Sequence, residues 1–435
     1  MVVAPCGACS PKVTGPGQPK AEAAPAGVAS LHVSPERVLA PVRRDVLLGF
    51  NFANSMQIAD YGEDLQKVAP SQLRFPGGNV GDENDMTEYA LDILKANFAI
   101  LRFDGGAMIQ TRVFQGSNKI THEPPRNRPE DAADVARWAR ARGLRVPYWE
   151  IGNEPDLFAV TRGDPSWTPE RYCDVFRAQA KAIKAVEPQA RVAGPAVSGA
   201  VPGRDVFIER FVRRCGDVVD VLTWHIYPTD GTKPDDVALD TVAEADDTVA
   251  RYKALLADPA QNPLGHGRKI ALGVTEYGLS WYTNRARHLS DVYNALWAAE
   301  VALRLDEGGV EVAHYFALQG IVNHGLLDQS GVRRPTYYGF GLLGKLRGDL
   351  VAATAGDPML WTHAALDGKE LHVLVTNRGP APKALATAVP GHRLVAAEWF
   401  DAAVADKEDP FTQAKPAATI SLAPYSMMHL VYAAQ

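Results

Sequence analysis

Apolar and polar positions along the chain fall into two regimes. Between about residues 44 and 346, eight short runs are almost continuously apolar: LLGFNFA (47–53), QLRFPGG (72–78), AMIQTRVF (107–114), VPYWEIGNEP (146–155), ARVAGPAVSG (190–199), VVDVLTWHIYP (218–228), KIALGVTEYG (269–278) and VEVAHYFALQG (310–320). A strand buried on both faces reads this way, whereas a strand with one wet face alternates. Helical spacing fills most of the gaps. PEDAADVARWARARG (129–143) opens on Pro and acids and closes on Arg and Gly, the start and stop signals of a helix. Its Ala132, Val135, Ala136 and Ala139 share one face. The segments 169–188 and 289–309 behave likewise. Strand and helix alternating eight times predict parallel pairing with the helices outside, an α/β fold of the (β/α)8 TIM barrel type.

The tail follows a different rhythm. LHVLVTN (371–377), RLVAAEWF (393–400), ATISLAP (418–424) and MMHLVYA (427–433) are short runs between turn signals, which predicts an antiparallel β-sandwich. LHVSPERVLAPV (31–42) reads as one or two edge strands joining it. The expected organisation is a catalytic barrel over 44–346 and a sandwich from 29–43 plus 347–435. Residues 1–28, rich in Pro, Gly and Ala, read as a disordered tether.

Composition narrows the partners more than the fold. With 435 residues and 46% hydrophobic content, the core needs no metal or disulfide to hold it. A net charge of −6 counts against nucleic acid or an anionic membrane, yet leaves room for an anionic sugar in a local basic pocket. No run approaches the ~18 apolar residues of a membrane span. Cys6 and Cys9 form a CxxC with no second pair for zinc and no following βα unit for redox chemistry. Small residues before Cys9 and the flexible spacer after it suggest the remnant of an export or lipoprotein signal, hence an exported protein (periplasmic, cell-surface or secreted). Cys173 and Cys215 read as small buried apolar side chains.

A barrel concentrates chemistry at the C-terminal ends of its strands. The second run ends in Arg74, Gly77, Gly78 and Asn79, the fourth in Asn153 and Glu154, and the sixth in His225 and Tyr227. The seventh ends in Glu276 and Tyr277, the eighth in Tyr315 and Gln319. Two strand-end glutamates facing each other across a barrel mouth are what glycosidic bond cleavage needs, one protonated for the leaving oxygen and one ionised. The Asn153 amide suits a sugar hydroxyl beside that bond. The implied partner is a carbohydrate, and the chemistry calls for no cofactor and no metal. Glu150 lies deeper on the same face, and reads as one half of a buried ion pair with Arg74 or Arg112. Gly77 and Gly78 lack a phosphate-loop context and read as a tight turn. Asp82, Glu83 and Asp85 read as a solvated loop rather than a calcium site. His314 and Tyr315 are expected to line or support the pocket.

These residues carry a resemblance. YWEIGNEP (148–155) and GVTEYG (273–278) resemble the acid/base and nucleophile strands of the clan A retaining glycoside hydrolases. LRFPGGN (73–79) resembles the α-L-arabinofuranosidase family, WEIGNEPDLF (149–158) is similar to the heparanase and β-glucuronidase family, and GLLDQSGVRRPTYYGFGLL (325–343) is similar to a phrase of the β-xylosidase and α-L-iduronidase family, among others. The resemblance implies Glu154 as acid/base and Glu276 as nucleophile. It places His225 and Tyr227 beside the nucleophile, and implies an arginine, Arg74, that keeps it ionised. Many members carry a Trp on the eighth strand as a sugar platform. Here that strand offers Tyr315 and Phe316, and Trp281, just past Glu276, is the other candidate. The rival reading is a non-catalytic carbohydrate-binding protein on a barrel scaffold.

Overall fold

The computed structural model describes residues 27–435 other than 54, 55, 57, 200–202, 321 and 405–410. The tether, with Cys6 and Cys9, lies outside the described residues apart from its last two positions. Eight strands close a parallel barrel: β3 (Gly49–Asn51), β4 (Gln72–Phe75), β5 (Gly106–Thr111), β6 (Tyr148–Ile151), β7 (Arg191–Val197), β8 (Val221–Ile226), β9 (Ala271–Tyr277) and β10 (Val312–Tyr315). They are numbered after β1 (Val28–Ser30) and β2 (His32–Pro41), which precede them. Each of the eight apolar runs supplies one barrel strand. The floor of the barrel is plugged by Met108, Tyr148, Ala193, Val221 and Val312, so the interior is a packed core and only the upper layer is free for chemistry.

Helices ring the barrel where the spacing predicts them. Pro169–Val186 begins with Pro at its first position and Thr168 as cap, whose hydroxyl accepts from the Arg171 N–H. Its buried stripe includes Tyr172, Cys173, Phe176 and Ile183. Cys173 and Cys215 are indeed buried, but they are not free thiols. They form a disulfide between this helix and Arg204–Cys215, with Cα atoms 5.9 Å apart.

The C-terminal part is built on β11 (Asp349–Thr354), β12 (Leu360–Asp367), β13 (Glu370–Asn377), β14 (Lys383–Ala386), β15 (His392–Phe400), β16 (Thr412–Ala414), β17 (Thr419–Leu422) and β18 (Ser426–Ala434). Seven strands in the order β16-β15-β18-β13-β12-β11-β2 form one antiparallel sheet, and β1-β14-β17 form a second. The N-terminal strands are therefore edge strands of both sheets, although β1 pairs with β14 in parallel. Alternation on β12 shows how the sheet serves two cores. Leu360 and Ala364 face the sandwich interior with Leu385 and Ile420, whereas Trp361 and Ala365 pack against the barrel. Among the described residues, no helix is long and apolar enough to cross a membrane.

Candidate active site

The fourth strand ends in an elbow. β6 stops at Ile151, Gly152 takes φ 79°, and Glu154 itself adopts a left-handed φ of 42°. Its N–H donates to the Ala196 carbonyl of β7, and its carbonyl accepts from Leu157. A non-glycine residue held at positive φ is strained, and such strain gathers at functional positions. Here it turns the Glu154 side chain over the barrel axis.

The opposing carboxylate is aimed by a strand irregularity. Trp224 of β8 pairs with Val274 of β9, but His225 pairs with Glu276, so the register shifts by one residue. The bulge brings His225 and Glu276 inward together. His225 Nδ1 lies 3.0 Å from Glu154 Oε1 and 3.9 Å from Glu276 Oε2. One carboxylate oxygen of each glutamate and one ring nitrogen of His225 all lie within 4.8 Å of one another.

Arg74 organises the layer beneath. It is fully buried on β4. Its Nε donates to Glu150 at 2.5 Å, one Nη to Glu276 Oε1 at 2.7 Å and to Asn51 Oδ1 at 2.9 Å, and the other to Asn153 Oδ1 at 2.7 Å. Tyr227 donates its hydroxyl to Glu276 Oε2 at 2.9 Å. Burial works against ionisation of Glu276, but the charges of His225 and Arg74 and the hydrogen bonds from Arg74 and Tyr227 outweigh it and hold the carboxyl below its usual range. Burial likewise opposes charge on His225, and the two glutamates overrule it and push its pKa up. Tyr227 is raised by burial and by the Glu276 charge, so it stays a neutral donor. Asp156 is pushed up to about 6 by burial and by Glu154, against hydrogen bonds from Ser198. Gly78 is required here. Its φ is 71°, and a Cβ would come within 2.9 Å of Glu276 Oε1.

Arg74, Asn153, Glu154, His225, Tyr227 and Glu276 thus converge, and Glu150 takes Arg74 as its ion-pair partner. Other expected residues do not converge. Asn79 is held by Arg162 at 3.1 Å. Tyr315 is turned outward from the barrel: fully buried, it accepts from Asn294 and packs on Tyr277 and Phe340. Its neighbours replace it, with His314 buried near Arg74 and Phe316 lying beside Gly78 and His324. Gln319 donates to the Asp328 carbonyl and ties down the loop after β10. Trp281 is 49% exposed on the loop after β9, edge-on to Tyr282. The acidic trio is not a solvated loop: Asp82 is fully buried, Glu83 pairs with Lys119 and Arg162, and Asp85 pairs with Arg112. Asn51 escaped the strand-end filter, although it closes the first run as Arg74 does the second.

The same architecture occurs in known proteins. An α-L-arabinofuranosidase from Thermotoga maritima superposes with a TM-score of 0.70 at 15% identity, covering 93% of this chain and 99% of that one. A family 44 xyloglucanase from Paenibacillus polymyxa gives 0.67 at 14%, covering 94% and 100%. In sequence, a β-xylosidase from Caldicellulosiruptor saccharolyticus is 24% identical over 68% of this chain and 62% of its own length. Heparanase from Rattus norvegicus is 29% identical over 54% and 43%. The chain thus spans only part of these curated relatives, 62% of the first and 43% of the second. No family model matches it. The fold is that of the clan A glycoside hydrolases, and the sequence resembles members of that clan.

Proposed function

We propose that the protein is a retaining glycoside hydrolase that cleaves glycosidic bonds of oligo- or polysaccharides by double displacement. The observation that carries this reading is the approach of the Glu154 and Glu276 carboxylates to within 4.8 Å. Retaining enzymes hold their pair about 5–5.5 Å apart, and inverting enzymes keep them farther apart to admit water. Glu276, kept ionised by Arg74, His225 and Tyr227, attacks the anomeric carbon. The bond to the leaving oxygen breaks as Glu154 protonates that oxygen. Glu154 then takes a proton from water, which attacks the glycosyl–Glu276 ester and frees the carboxylate. Asn153 Nδ2, buried without a hydrogen-bond partner among the described residues, is placed to donate to a sugar hydroxyl. An exported protein is part of the same proposal, and the Cys173–Cys215 disulfide supports it, because such bonds persist in oxidising compartments.

The test is stereochemical. Aryl glycosides of xylose, arabinose and glucuronic acid are hydrolysed, and the first-formed anomer is read by NMR. Retention is expected. Glu276→Ala should lower kcat by ~1,000-fold or more, and Glu154→Ala by about 100- to 10,000-fold. Inversion, or near-normal turnover in both variants, overturns the assignment.

A further inference from the structure

The sheet face that meets the barrel holds two histidines that the carboxylate pair makes no use of. On β13, Leu371 and Val373 face the sandwich core and Leu374 faces the barrel. On β18, Met428 and Leu430 face the sandwich core and Met427 faces the barrel. By the same alternation His372 and His429 lie on the barrel side, and both are buried. His429 pairs with Leu374, so His372 is its diagonal neighbour across the two strands.

Their four ring nitrogens form one line of contacts. His372 Nε2 lies 3.0 Å from Glu370 Oε1, His372 Nδ1 lies 3.0 Å from His429 Nε2, and His429 Nδ1 lies 2.9 Å from Glu398 Oε1. The rings are within 2° of coplanar, and the 5.2 Å between their centres is the 3.0 Å contact plus a ring radius at each end. The inner nitrogens therefore point straight at each other. Protons can then be counted. Each outer nitrogen faces a carboxylate oxygen and must carry a proton. The inner contact needs one proton, because none sets lone pair against lone pair and two set N–H against N–H. Three protons on two rings make one imidazole and one imidazolium.

We infer that His372 and His429 share one proton and form a pH-sensitive latch at the seam between sandwich and barrel, closed only while the pair carries a single positive charge. The charged groups around it suit that charge. Glu370 and Asp367 act on His372, and Glu398 of β15 faces His429. Glu398 is held in turn by Lys345 at 2.5 Å, two residues past the helix Pro335–Leu343 on the barrel side. Across Leu374 in the same row, His363 is taken by Glu300 and Glu307. Burial opposes ionisation of Glu398, but the hydrogen bonds from His429 and Lys345 outweigh it and hold its pKa at about 2. Burial, and then the charge of His429, push the His372 pKa below its usual value, as expected of the ring that stays neutral. The latch stands without the hydrolase reading.

Linkage gives it a signature. Unfolded, the two rings carry two extra protons in acid, one near about pH 6.5 and none in alkali, whereas the closed latch holds one throughout. Its contribution to stability therefore peaks near about pH 6.5 and falls on both sides, by up to about tenfold in the unfolding constant per pH unit. The sign for His372 agrees: its folded pKa is depressed, so its share is present above ~6.5 and is lost as pH falls. Urea unfolding of the full chain and of the double variant His372→Gln, His429→Gln, from about pH 4.5 to about pH 8.5, reads the difference. A bell is expected. A difference that only rises with pH means two neutral rings, one that only falls means two charged rings, and either overturns the proposal. Glu370→Gln changes an exposed side chain, and its amide can donate to a bare ring nitrogen. It removes the demand for the third proton, so its curve should keep the acid limb and lose the alkaline one; a curve that keeps both overturns the proton count. Where the double variant does not fold, the parent protein decides alone. With nitrogen-15 histidine near neutral pH, NMR should show a coupling between the two rings across the shared hydrogen bond, and its absence overturns the latch.

Discussion

Two buried places in this molecule set a cation between two glutamates, and they are built to opposite ends. At the barrel mouth Arg74 lies between Glu150 and Glu276. At the seam between barrel and sandwich His363 of β12 lies between Glu300 and Glu307 of the helix Val292–Glu307. At the seam everything is used. His363 Nδ1 meets Glu307 at 2.7 Å, Nε2 meets Glu300 at 3.0 Å, and Glu300 also takes Arg304 at 2.7 Å. Both ring nitrogens face carboxylates, so both must donate. Burial works against that imidazolium, yet Glu300 and Glu307 push its pKa up to about 10. At the mouth atoms are left over: Asn153 Nδ2, His225 Nε2 and Glu150 Oε1 are buried without a partner among the described residues. Each such atom costs about 1–3 kcal/mol. Three such atoms gathered around one carboxylate pair suit a site that a ligand completes, and under the proposed function sugar hydroxyls would supply the missing partners.

The comparison is broken most severely at the mouth. Arg74→Met strands Glu150 and Glu276 in the barrel without their shared cation. Removing one partner of a buried ion pair costs about 3–5 kcal/mol, and Glu276, the proposed nucleophile, loses its nearest cation. Urea unfolding should show that loss, and kcat/KM on the substrate found by the aryl glycoside screen should drop by ~100-fold or more. An Arg74→Met protein that is both stable and active would place the two networks in one class.

At the seam fold and function should separate. His363→Leu leaves Glu300 and Glu307 facing an apolar side chain, so stability should fall by about 3 kcal/mol while kcat/KM stays within a factor of about two. The loss depends on pH. The folded pKa of His363, about 10, is above its ordinary 6.5. Its contribution is therefore complete below about pH 6.5 and fades as pH rises through 10. The gap in unfolding free energy between parent and variant should be widest in acid and close towards pH 10. A gap that widens with pH would show that the ring is neutral in the folded state.

How much of this is legible in sequence follows from how each element is buried. The barrel strands are covered on both faces, so their apolar runs stand out, and a strand-end filter then finds Glu154, Glu276, His225, Tyr227 and Arg74. Other features resist reading. β11 and β12 lie where one face meets the barrel and the other the sandwich core, which blurs alternation and leaves LWTHAALD unremarkable. Tyr315 fails by parity: neighbours on a strand point to opposite sides, and a register shift after Ala313 decides which. The disulfide joins cysteines 42 residues apart on consecutive helices, set side by side by the parallel pairing of β6, β7 and β8, and CxxC-type spacing gives no sign of it. Asp82 is acidic and short of apolar neighbours in sequence, and nothing local tells that the short helix Asn79–Glu83 after β4 turns it inward.

The finest probe of the mouth is a single hydroxyl. Tyr227→Phe keeps the ring and removes the donor 2.9 Å from Glu276 Oε2. That hydrogen bond favours the ionised carboxylate, so its loss should raise the Glu276 pKa from its depressed value. A charge-assisted bond of roughly 1.5 kcal/mol corresponds to about one pH unit. In the proposed mechanism the nucleophile must be ionised, so activity dies on the acid side as Glu276 takes up a proton. The acid limb of the kcat/KM profile should therefore move up by about one unit. The alkaline limb reports loss of the proton that the leaving oxygen needs, and Tyr227 does not touch Glu154, so that limb should stay. Both limbs moving together would mean that the two carboxylates titrate as one unit, and an acid limb that does not move would remove Tyr227 from the set of residues that keep Glu276 ionised. A shift confined to the acid side separates the roles of the two glutamates without deleting either.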